Sequence, residues 1–357
     1  MFKFLDLEPE SFGMDISELS LKIASLKRKG KAFKLASWAE HDLKKGIIED
    51  GEIKYEDALI KEIEKMLQKI KGQKLKNNNV IVSLPEKKAF LQVIKMPKME
   101  DKDLKSTIFF EAENYIPLTV EKAYLDYQIV SSYDAEHFNV LVAAVPKGIV
   151  DSYFSCLKKA KLKPRAFEVE SQSIVRAVVK EEFSNEPILI IDIGKNKASF
   201  IIFDYNSIVL TSSASFSSED ITQAIAKSLE VNPDEAERLK IKYGLQNSRS
   251  EEAKKVVNSF KSVVDDFGDQ IKKYVVYYKT HNKDKKIKKV ILCGRGANLK
   301  GLPEFLSYEL KIPTEIANPW VNILSGNLSE VPELAFKDSI GYTTALGLAL
   351  RGVKKND

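Results

Sequence analysis

Residues 188–203 read ILIIDIGKNKASFIIF, an apolar run that ends in Asp192, a short turn around Gly194 and a second apolar run. The same order occurs near the start of the chain, in FGMDISELSLKIAS at residues 12–25, where Asp15 ends the first run. The apolar runs and the turn residues between them predict two β-hairpins. Because the pattern occurs in each half of the chain, the sequence predicts two related halves.

A third segment predicts a contact to a flat ligand. Residues 288–310, KKVILCGRGANLKGLPEFLSYEL, indicate a buried strand, a glycine-containing turn and a helix. Glycines in such a turn let the backbone approach a ligand closely. The two hairpins suit another part of a ligand, because each turn presents N–H groups to an anion and each acid suits a hydrated cation. Two facing hairpins would bind a Mg-triphosphate, and Ser17, Ser20 and Lys22 would add hydroxyls and a charge.

The composition is that of a globular protein with a small charge imbalance. The 357 residues are 44% hydrophobic and 30% charged, and the formal net charge is +5. This length favours about two domains, and the apolar content is too high for a mostly disordered chain. Lysines and carboxylates are interleaved, which disfavours a domain-wide basic face, so we expect no nucleic-acid partner.

The cysteines and histidines argue against two common kinds of site. Cys156 and Cys293 are far apart, and the three histidines are scattered along the sequence. A disulfide framework and zinc-finger spacing are therefore excluded, and a reducing, cytoplasmic compartment is favoured.

No segment of the sequence predicts insertion into a membrane. The apolar runs, such as 140–145 and 188–191, are much shorter than the ~20 residues that a bilayer requires. The first residues lack the pattern of a signal peptide. No dense cluster of basic residues is evident along the sequence, so we expect little attraction to lipid. If the protein works at a membrane, a partner should hold it there.

The middle of the first half predicts an inserted subdomain. Between Pro85 and about Pro164 the pattern indicates strand, helix, two strands and helix, with prolines at the boundaries. After Pro187 the hairpin pattern returns and mostly helical segments follow. The last helical segment, 338–351, contains small residues that allow close packing.

On these residues the chain resembles the actin-like ATPase superfamily. DISELSLKIA, DIGKNKASFIIF and GRGANLKGLPEFL are similar to its phosphate 1, phosphate 2 and adenosine motifs, and AERLKIKYG at 236–244 is similar to its ribose- and adenine-contacting helix. Within the superfamily the sequence most resembles the PilM family of type IV pilus assembly proteins, which is related to the division protein FtsA. NVIVSLPEKKAFLQVIKMP, FFEAENYIPL, EVESQSIVRAV, IPTEIANPW and GYTTALGLALRG are all similar to PilM segments.

The resemblance implies an α/β, actin-like (ribonuclease H-like) two-domain fold with an inserted 1C subdomain of the FtsA/PilM type. Domain 1 (1A) would comprise residues 1–84 and 164–186, and the 1C subdomain residues 85–163. Domain 2 (2A/2B) would comprise 187–357, with its C-terminal helix returning to domain 1.

The resemblance also implies that the chain binds ATP and Mg, the metal being held through water by Asp15 and Asp192. Ser17 stands where the family usually has glycine, and Arg295 where a small residue is usual. The nucleotide-binding residues so implied are Asp15, Ser17, Glu18, Ser20, Lys22, Asp192, Gly194, Lys195, Asn196, Lys197, Glu237, Lys240, Gly294, Arg295, Gly296, Ala297 and Asn298.

Hydrolysis would need a group that orients water near the terminal phosphate. An alignment with actin-like filament proteins gives Asp151 as the catalytic candidate, and Glu168 and Glu170 are alternatives of similar weight. An acid at a helix start is more often a cap or a surface charge. Since Ser17 and Arg295 also depart from the family pattern, we expect weak or no turnover.

The resemblance to PilM implies an ATP-binding adaptor of a type IV pilus, competence or type II secretion-like assembly machine. It would dock the N-terminal cytoplasmic tail of a PilN-like inner-membrane protein in the groove between 1A and 1C, and so lie at the inner face of the cytoplasmic membrane. The pilus assembly ATPase, platform proteins and a second copy are further candidate partners. Another interaction surface is indicated by Ile108, Phe109, Phe110 and Ile116, unless these residues pack the insertion onto its own sheet.

Two other functions share this fold. An FtsA-like division protein is disfavoured, because FtsA carries a membrane-binding amphipathic helix after a linker and this sequence stops at 351–357 without one. A small-molecule kinase would need a carboxylate base in domain 1, and two cysteines are too few for the zinc cluster of one kinase group.

Overall fold

The computed structural model describes residues 10–30, 32–117, 119–132, 136–246, 250–282, 285–324 and 331–354. The first elements are β1 (Phe12–Ile16), β2 (Ser20–Lys29), β3 (Ala32–Asp42), β4 (Ile48–Glu49), β5 (Glu52–Ile53), α1 (Glu56–Gln68), β6 (Lys71–Gly72) and β7 (Asn79–Leu84). Next come β8 (Phe90–Pro97), α2 (Asp101–Ala112), β9 (Ala123–Ser132), β10 (His137–Pro146), α3 (Lys147–Lys159), β11 (Lys163–Val169) and α4 (Glu170–Val178). The remaining elements are β12 (Ser184–Ile193), β13 (Ala198–Tyr205), β14 (Ser207–Ala214), α5 (Ser218–Leu229), α6 (Pro233–Tyr243), α7 (Glu251–His281), β15 (Lys289–Cys293), α8 (Leu302–Leu310), β16 (Thr314–Ile316), α9 (Phe336–Ser339) and α10 (Thr343–Val353).

Domain 1 is built on a six-stranded sheet in the order β11-β7-β1-β2-β3-β6. Strand β1 pairs antiparallel with β2 and parallel with β7, so the predicted first hairpin lies at the centre of the sheet. One face of the sheet packs against the apolar stripe of α1, whose Leu59, Ile63 and Met66 are buried. These residues recur at helical spacing, and burying that stripe holds the helix on the sheet.

Helix α3 belongs to the same core. Its Tyr153, Cys156 and Leu157 are buried with the apolar residues of β1, β2 and β7. The sequence predicts this helix as part of the inserted block, whereas its apolar face packs against the sheet of domain 1. The core of the insertion runs from Ile94 to Ala144.

The insertion is a three-stranded antiparallel sheet, β8-β10-β9, covered by α2. Ile108 and Ile116 are buried against this sheet, as one of the two alternatives predicted. Phe110 lies on the other face of α2 and is 69% exposed. The strand β9 is an edge strand, and one side of its backbone is unpaired within the sheet.

Domain 2 contains a five-stranded sheet in the order β14-β13-β12-β15-β16. The predicted second hairpin is β12–β13, and β12 runs parallel to β15 with Asp192 opposite Cys293. Because parallel strands end at the same edge of a sheet, the acid of the hairpin and the glycine turn after β15 meet there. Helices α5, α6, α7 and α8 contribute to the core of this domain.

Helix α10 returns to domain 1 and packs against β1, β2, β7 and α4. Contact is close at Gly347, where an added Cβ would lie 1.8 Å from the carbonyl oxygen of Ser173. Small residues on this helix therefore allow its backbone to reach α4. Among the described residues, no helix combines the length and apolar character needed to cross a bilayer.

Candidate functional site

A cleft of about 740 Å³ lies between the two domains and is lined by both hairpins, the glycine turn after β15 and α6. It brings together sixteen of the seventeen residues that the sequence indicated for nucleotide binding. They are Asp15, Ser17, Glu18, Ser20, Lys22, Asp192, Gly194, Lys195, Asn196, Lys197, Glu237, Lys240, Gly294, Arg295, Gly296 and Asn298.

The first hairpin holds its acid by hydrogen bonds within domain 1. The Ser83 hydroxyl donates to Oδ1 of Asp15 over 2.9 Å, and the backbone N–H of Ile16 donates to the Ser83 hydroxyl over 3.1 Å. At the turn, the N–H and the hydroxyl of Ser17 both donate to the carbonyl oxygen of Ser20. The Lys22 ammonium donates to the Ser20 hydroxyl over 2.9 Å, so its charge lies beside the turn.

The second hairpin turn is tied to the start of α5. The N–H of Gly194 donates to the carbonyl oxygen of Lys197 over 2.9 Å, which closes the turn. The N–H groups of Ser218 and Glu219 donate to the carbonyl oxygens of Gly194 and Lys195, each over 3.1 Å. The hairpin carbonyls therefore satisfy the first N–H groups of α5 and fix the second turn against the start of this helix.

Three carboxyl groups and two ammonium groups converge at the floor of the cleft. Burial, followed by the charges of Glu170 and Asp15, raises the pKa of Asp192 to about 6. Burial also raises the pKa of Asp15, against the opposing charge of Lys22. Burial alone would lower the pKa of Lys197, but the Glu170 carboxylate, 3.0 Å away, raises it above the ordinary value. Burial is the largest cause of the shifts at both aspartates, so they mark a desolvated cluster of interacting charges facing the cleft.

The turn after β15 provides a backbone surface that a side chain would obstruct. Gly294 has a φ of +76°, and an added Cβ would lie 2.4 Å from Oδ1 of Asp192. A Cβ on Gly296 would lie 2.3 Å from the Ile193 side chain. Both glycines are needed for the turn to pass this close to the second hairpin.

Helix α6 adds a charged pair to the domain 2 side of the cleft. The Lys240 ammonium lies 2.6 Å from the Glu237 carboxylate and donates to the hydroxyls of Ser218 and Thr222 at the start of α5. Glu237 also accepts from the Thr222 hydroxyl over 2.6 Å. The carboxylate is thus held in position by Lys240 and Thr222 and remains partly exposed to the cleft.

Besides the Lys197–Glu170 pair, two further contacts cross the cleft between the domains. The Asn196 amide donates to the Glu18 carboxylate over 2.6 Å, joining the two hairpin turns. Arg295 forms an ion pair with Glu40 of β3. The departure from the family pattern at Arg295 therefore has a partner on the opposite wall.

Comparison with known proteins agrees with this geometry. The family described as "Type IV pilus assembly protein PilM" matches residues 13–353. The chain belongs to the PilM family. A solved PilM-PilN type IV pilus biogenesis complex contains a chain that is 24% identical, with a TM-score of 0.80 over 97% of this chain and 99% of that one.

More distant folds are also similar. The ethanolamine utilization protein EutJ from Carboxydothermus hydrogenoformans has a TM-score of 0.57 at 12% identity, covering 96% of this chain and 90% of that one. MreB 5 of Spiroplasma citri bound to AMPPNP has a TM-score of 0.51 at 12% identity, covering 96% of each chain. The predicted actin-like fold is confirmed.

Within this PilM-family fold, two of the predicted site residues lie elsewhere. Ala297 is fully buried in the core of domain 2, because the short helical turn after Gly294 directs it inward. Asp151 is on α3, outside the lining of the cleft, and its carboxylate accepts from the Tyr124 hydroxyl over 3.0 Å. The expectation that Asp151 orients water is thus corrected, since α3 packs on the outer face of the domain 1 sheet.

The two alternatives to Asp151 differ in position. Glu168 is buried away from the cleft and forms a bidentate ion pair with Arg176. Glu170 lines the cleft and accepts from Lys197 and from the backbone N–H of Glu86. Of the three acids, Glu170 is the one positioned to act on a ligand in the cleft.

Sequence reasoning missed several residues of the cleft and its supports. Ser83 supports Asp15 from the neighbouring strand, and Ser218, Thr222, Lys337 and Thr343 line the cleft. The sequence does contain a signal for Ser83, because this polar residue stands near the end of the apolar run of β7. Parallel pairing places β7 beside β1, and so places Ser83 beside Asp15. In the described part of the chain, no three acid, histidine or cysteine side chains are arranged to hold a metal ion directly.

Proposed function

We propose that this PilM-family chain is an ATP-binding adaptor with weak or no turnover, which docks the cytoplasmic tail of a PilN-like membrane protein. The observation that carries the proposal is the convergence of both acid hairpins and the glycine turn on one interdomain cleft. Lys22 and Lys195 suit the phosphates, and the Gly294–Gly296 turn suits a flat base.

The donor set also fits Mg bound through water. Asp15, Asp192 and Glu170 place carboxylates at the floor of the cleft, where Lys22 and Lys197 neutralise only part of their charge. Mg²⁺ keeps several waters and takes one or two carboxylates together with phosphate oxygens. Asp15 and Asp192 would hold the hydrated ion, and the ion would balance the phosphate charge.

Nucleotide binding is tested by thermal unfolding with and without Mg-ATP. A ligand that binds the folded state alone raises the melting temperature by mass action. We expect Asp192→Ala to lose most of the shift and Asp151→Ala, outside the cleft, to keep it. The absence of any shift of the unsubstituted chain at millimolar Mg-ATP would contradict the proposal.

Turnover is tested by phosphate release from the isolated chain. Ser17 and Arg295 depart from the family pattern, and Lys197 and the N–H of Glu86 already occupy Oε2 of Glu170. We expect well below 1 turnover per second, under the ~1–10³ s⁻¹ typical of enzymes. Rapid ATP-dependent phosphorylation of a sugar would instead favour the kinase alternative.

The groove between the 1A core and the insertion is the proposed docking site for the tail. Tyr124 of the edge strand β9 and Phe154 of α3 are 48% and 46% exposed, and Lys147 lies over the Tyr124 ring. An extended peptide could place apolar side chains on these rings and add main-chain hydrogen bonds along β9. The 24%-identical relative was solved as a PilM-PilN complex, which supports this type of partner.

Docking is tested by pull-down with synthetic N-terminal tails of membrane proteins encoded beside this chain, with and without ATP. We expect Tyr124→Ala and Phe154→Ala each to weaken capture about tenfold, since each removes a large apolar contact. Tyr308→Ala, at an exposed tyrosine on α8 of domain 2, is the matched control. Equal loss in all three variants would exclude this groove.

The proposed location at the inner face of the cytoplasmic membrane depends on tail docking, because the tail of the membrane partner would hold the chain there. Fractionation of cells with and without the PilN-like partner tests it. We expect the chain to leave the membrane fraction, wholly or in large part, when the partner is deleted. Unchanged membrane association would favour the FtsA-like alternative.

A further inference from the structure

The end of domain 1 opposite the cleft gathers basic residues from three distant segments. In the stretches 20–39, 65–85 and 152–167 the only charged side chains are lysines and arginines. Acidic segments separate these stretches, so no dense basic cluster is evident along the sequence. Each stretch itself contains several cations and no acid.

The fold joins these stretches at one end of the sheet. Strand β2 runs away from the cleft and β3 returns, so the tip of this hairpin lies far from the nucleotide site. The Lys27 ammonium donates to the Gln73 side chain, which links the hairpin to the segment after β6. Two hydrogen bonds join the segment before β7 to the segment before β11. The Asn78 side-chain amide donates to the carbonyl oxygen of Lys161 over 3.0 Å, and the N–H of Lys163 donates to the carbonyl oxygen of Asn78 over 2.8 Å.

We call this surface the basic pole and define it by Lys27, Arg28, Lys34, Lys74, Lys76, Lys158, Lys161, Lys163 and Arg165. All but the half-buried Lys27 and Lys34 are exposed. Lys27 and Lys34 are paired directly across the β2–β3 ladder, an arrangement of like charges that destabilises a sheet.

Carboxylates neutralise little of this charge. Lys76 lies 3.3 Å from Glu10. In the part of the chain that the structure describes, Lys34, Lys74, Lys161 and Lys163 have no carboxylate within ion-pair distance. Elsewhere on the surface, lysines commonly pair with nearby acids, as along α7. The basic pole is therefore suited to anions supplied from outside the chain.

We propose that the basic pole contacts an anionic phospholipid surface. The charge is spread over strand ends, a loop and a helix end rather than along a groove, which suits a broad anionic plane. Phe33, near the tip of the hairpin, packs against the buried cluster of α10 and has the Arg28 guanidinium 5.9 Å from its ring centroid, an arrangement that does not provide an open stacking platform. These features favour lipid headgroups over single-stranded nucleic acid.

Helix α3 connects the basic pole to the proposed docking groove. Asp151, beside Tyr124, and Lys158 lie on this helix and are separated by about 10 Å along its axis. A tail docked along α3 would therefore have the basic pole near one end, where a membrane-anchored partner brings anionic lipid close. Through this contact the chain would adsorb to the bilayer surface without inserting into it. The contact goes beyond the proposed adaptor function, because it needs neither bound nucleotide nor a docked tail.

The test is co-sedimentation of the full chain with vesicles of phosphatidylcholine alone and with added phosphatidylglycerol. Each basic residue near an anionic surface changes affinity about fivefold, and the attraction decays over the Debye length of about 8 Å at physiological salt. At low salt we expect at least tenfold stronger binding to the phosphatidylglycerol vesicles, falling steeply as salt is added. The triple variant Lys34→Glu, Lys74→Glu and Lys163→Glu should lose at least tenfold in that binding.

The control variant carries the same change in net charge on α7: Lys255→Glu, Lys273→Glu and Lys279→Glu. It should bind phosphatidylglycerol vesicles like the unsubstituted chain, and thermal unfolding should show both variants folded. Equal loss in the control would overturn the proposal, because net charge alone would then explain binding. Tighter binding of a single-stranded oligonucleotide than of vesicles at the same salt would also overturn it. Tail capture in solution by the pole variant is a separate readout, so failure here leaves the adaptor proposal intact.

Discussion

Single residues in this PilM-family fold are constrained most strongly where the glycine turn meets the second hairpin. Gly294 combines a left-handed φ with an approach to Asp192 that leaves no room for a Cβ. Glycine is therefore required here for two reasons: the backbone has a positive φ, and no space is left for a Cβ atom. The turn positions backbone for a ligand and cannot be altered without moving an acid of the site.

Gly294→Ala is expected to lower the free energy of unfolding by at least about 2 kcal/mol, because a non-glycine residue in this region is strained by about 1–3 kcal/mol and the Cβ adds a clash. Urea denaturation of the apo chain measures the loss. Gly148→Ala is the control, since no atom lies within 4 Å of an added Cβ there. A loss in the control as large as in Gly294→Ala would contradict the argument.

Asp192 is expected to make stability depend on pH. Its pKa is raised from 3.8 to about 6, so its charge opposes folding above about pH 6. The opposition vanishes as pH falls below the unfolded value, where both states are protonated. Asp192→Asn should thus stabilise the apo chain at pH 7.5 by ~1–3 kcal/mol and change little near pH 4.

The measurement for Asp192 is urea denaturation at both pH values. Glu219→Gln, at the rim of the cleft, provides a control for removal of a negative charge. A destabilised Asp192→Asn apo chain at pH 7.5 would mean that the charged acid is favoured in the fold. With Mg-ATP present the order should reverse, because the variant lacks the carboxylate proposed to hold Mg.

At the scale of elements, α10 carries the chain from domain 2 back to domain 1. The short helical turn that precedes it contacts the glycine turn, and α10 itself packs against β1, β2, β7 and α4. Its glycine and alanine residues were recognised in sequence as suited to close packing. The structure shows that the close partner is the backbone of α4, which begins with Glu170 of the cleft.

Two helix glycines should respond to alanine in opposite directions. Gly347→Ala should destabilise by more than about 2 kcal/mol, as overpacking does, because the Cβ would overlap the Ser173 carbonyl. Gly268→Ala in α7 should stabilise by up to about 1 kcal/mol, since alanine favours helix and the nearest atom to an added Cβ is 4.0 Å away. Thermal and urea unfolding measure both changes. Stabilisation by both substitutions would show that α10 packs on α4 more loosely than described, and destabilisation by both would contradict the expectation for Gly268.

At the scale of the whole molecule, both packing and contacts across the cleft hold the two domains together. The Glu40–Arg295 pair links β3 to the glycine turn, and the Arg295 side chain is 53% exposed. Exposed ion pairs contribute little, because water and salt screen them. The arrangement of the two domains therefore depends mainly on the buried cluster that α10 forms with Trp320 and Ile323, rather than on this pair.

A double-mutant cycle of Glu40→Ala and Arg295→Ala tests this conclusion. We expect a coupling free energy below about 1 kcal/mol in urea denaturation of the apo chain. Added salt should reduce the coupling further. A value above about 2 kcal/mol would mean that the pair, rather than packing, holds the domains together.

Local patterns identified most of the nucleotide-binding candidates in advance. Both hairpins, their acids and the glycine turn were recognised because strand alternation and turn residues are properties of neighbouring positions. The predictions that the structure corrects concern the direction in which a side chain points. Ala297 is turned into the core by the short helix after Gly294, and Asp151 lies on a helix whose packing face selects the outer side of the sheet.

Other features are absent from any local pattern because they are made by residues far apart in sequence. Ser83 reaches Asp15 through the parallel pairing of β7 with β1, and Lys197 meets Glu170 across the domain interface. The raised pKa of Asp192 arises from burial and from the charges of Glu170 and Asp15, which lie on two other segments. The basic pole likewise exists because sheet order places three acid-free stretches at one end. Pairing and burial are collective, so they follow from the folded arrangement and from no single stretch of residues.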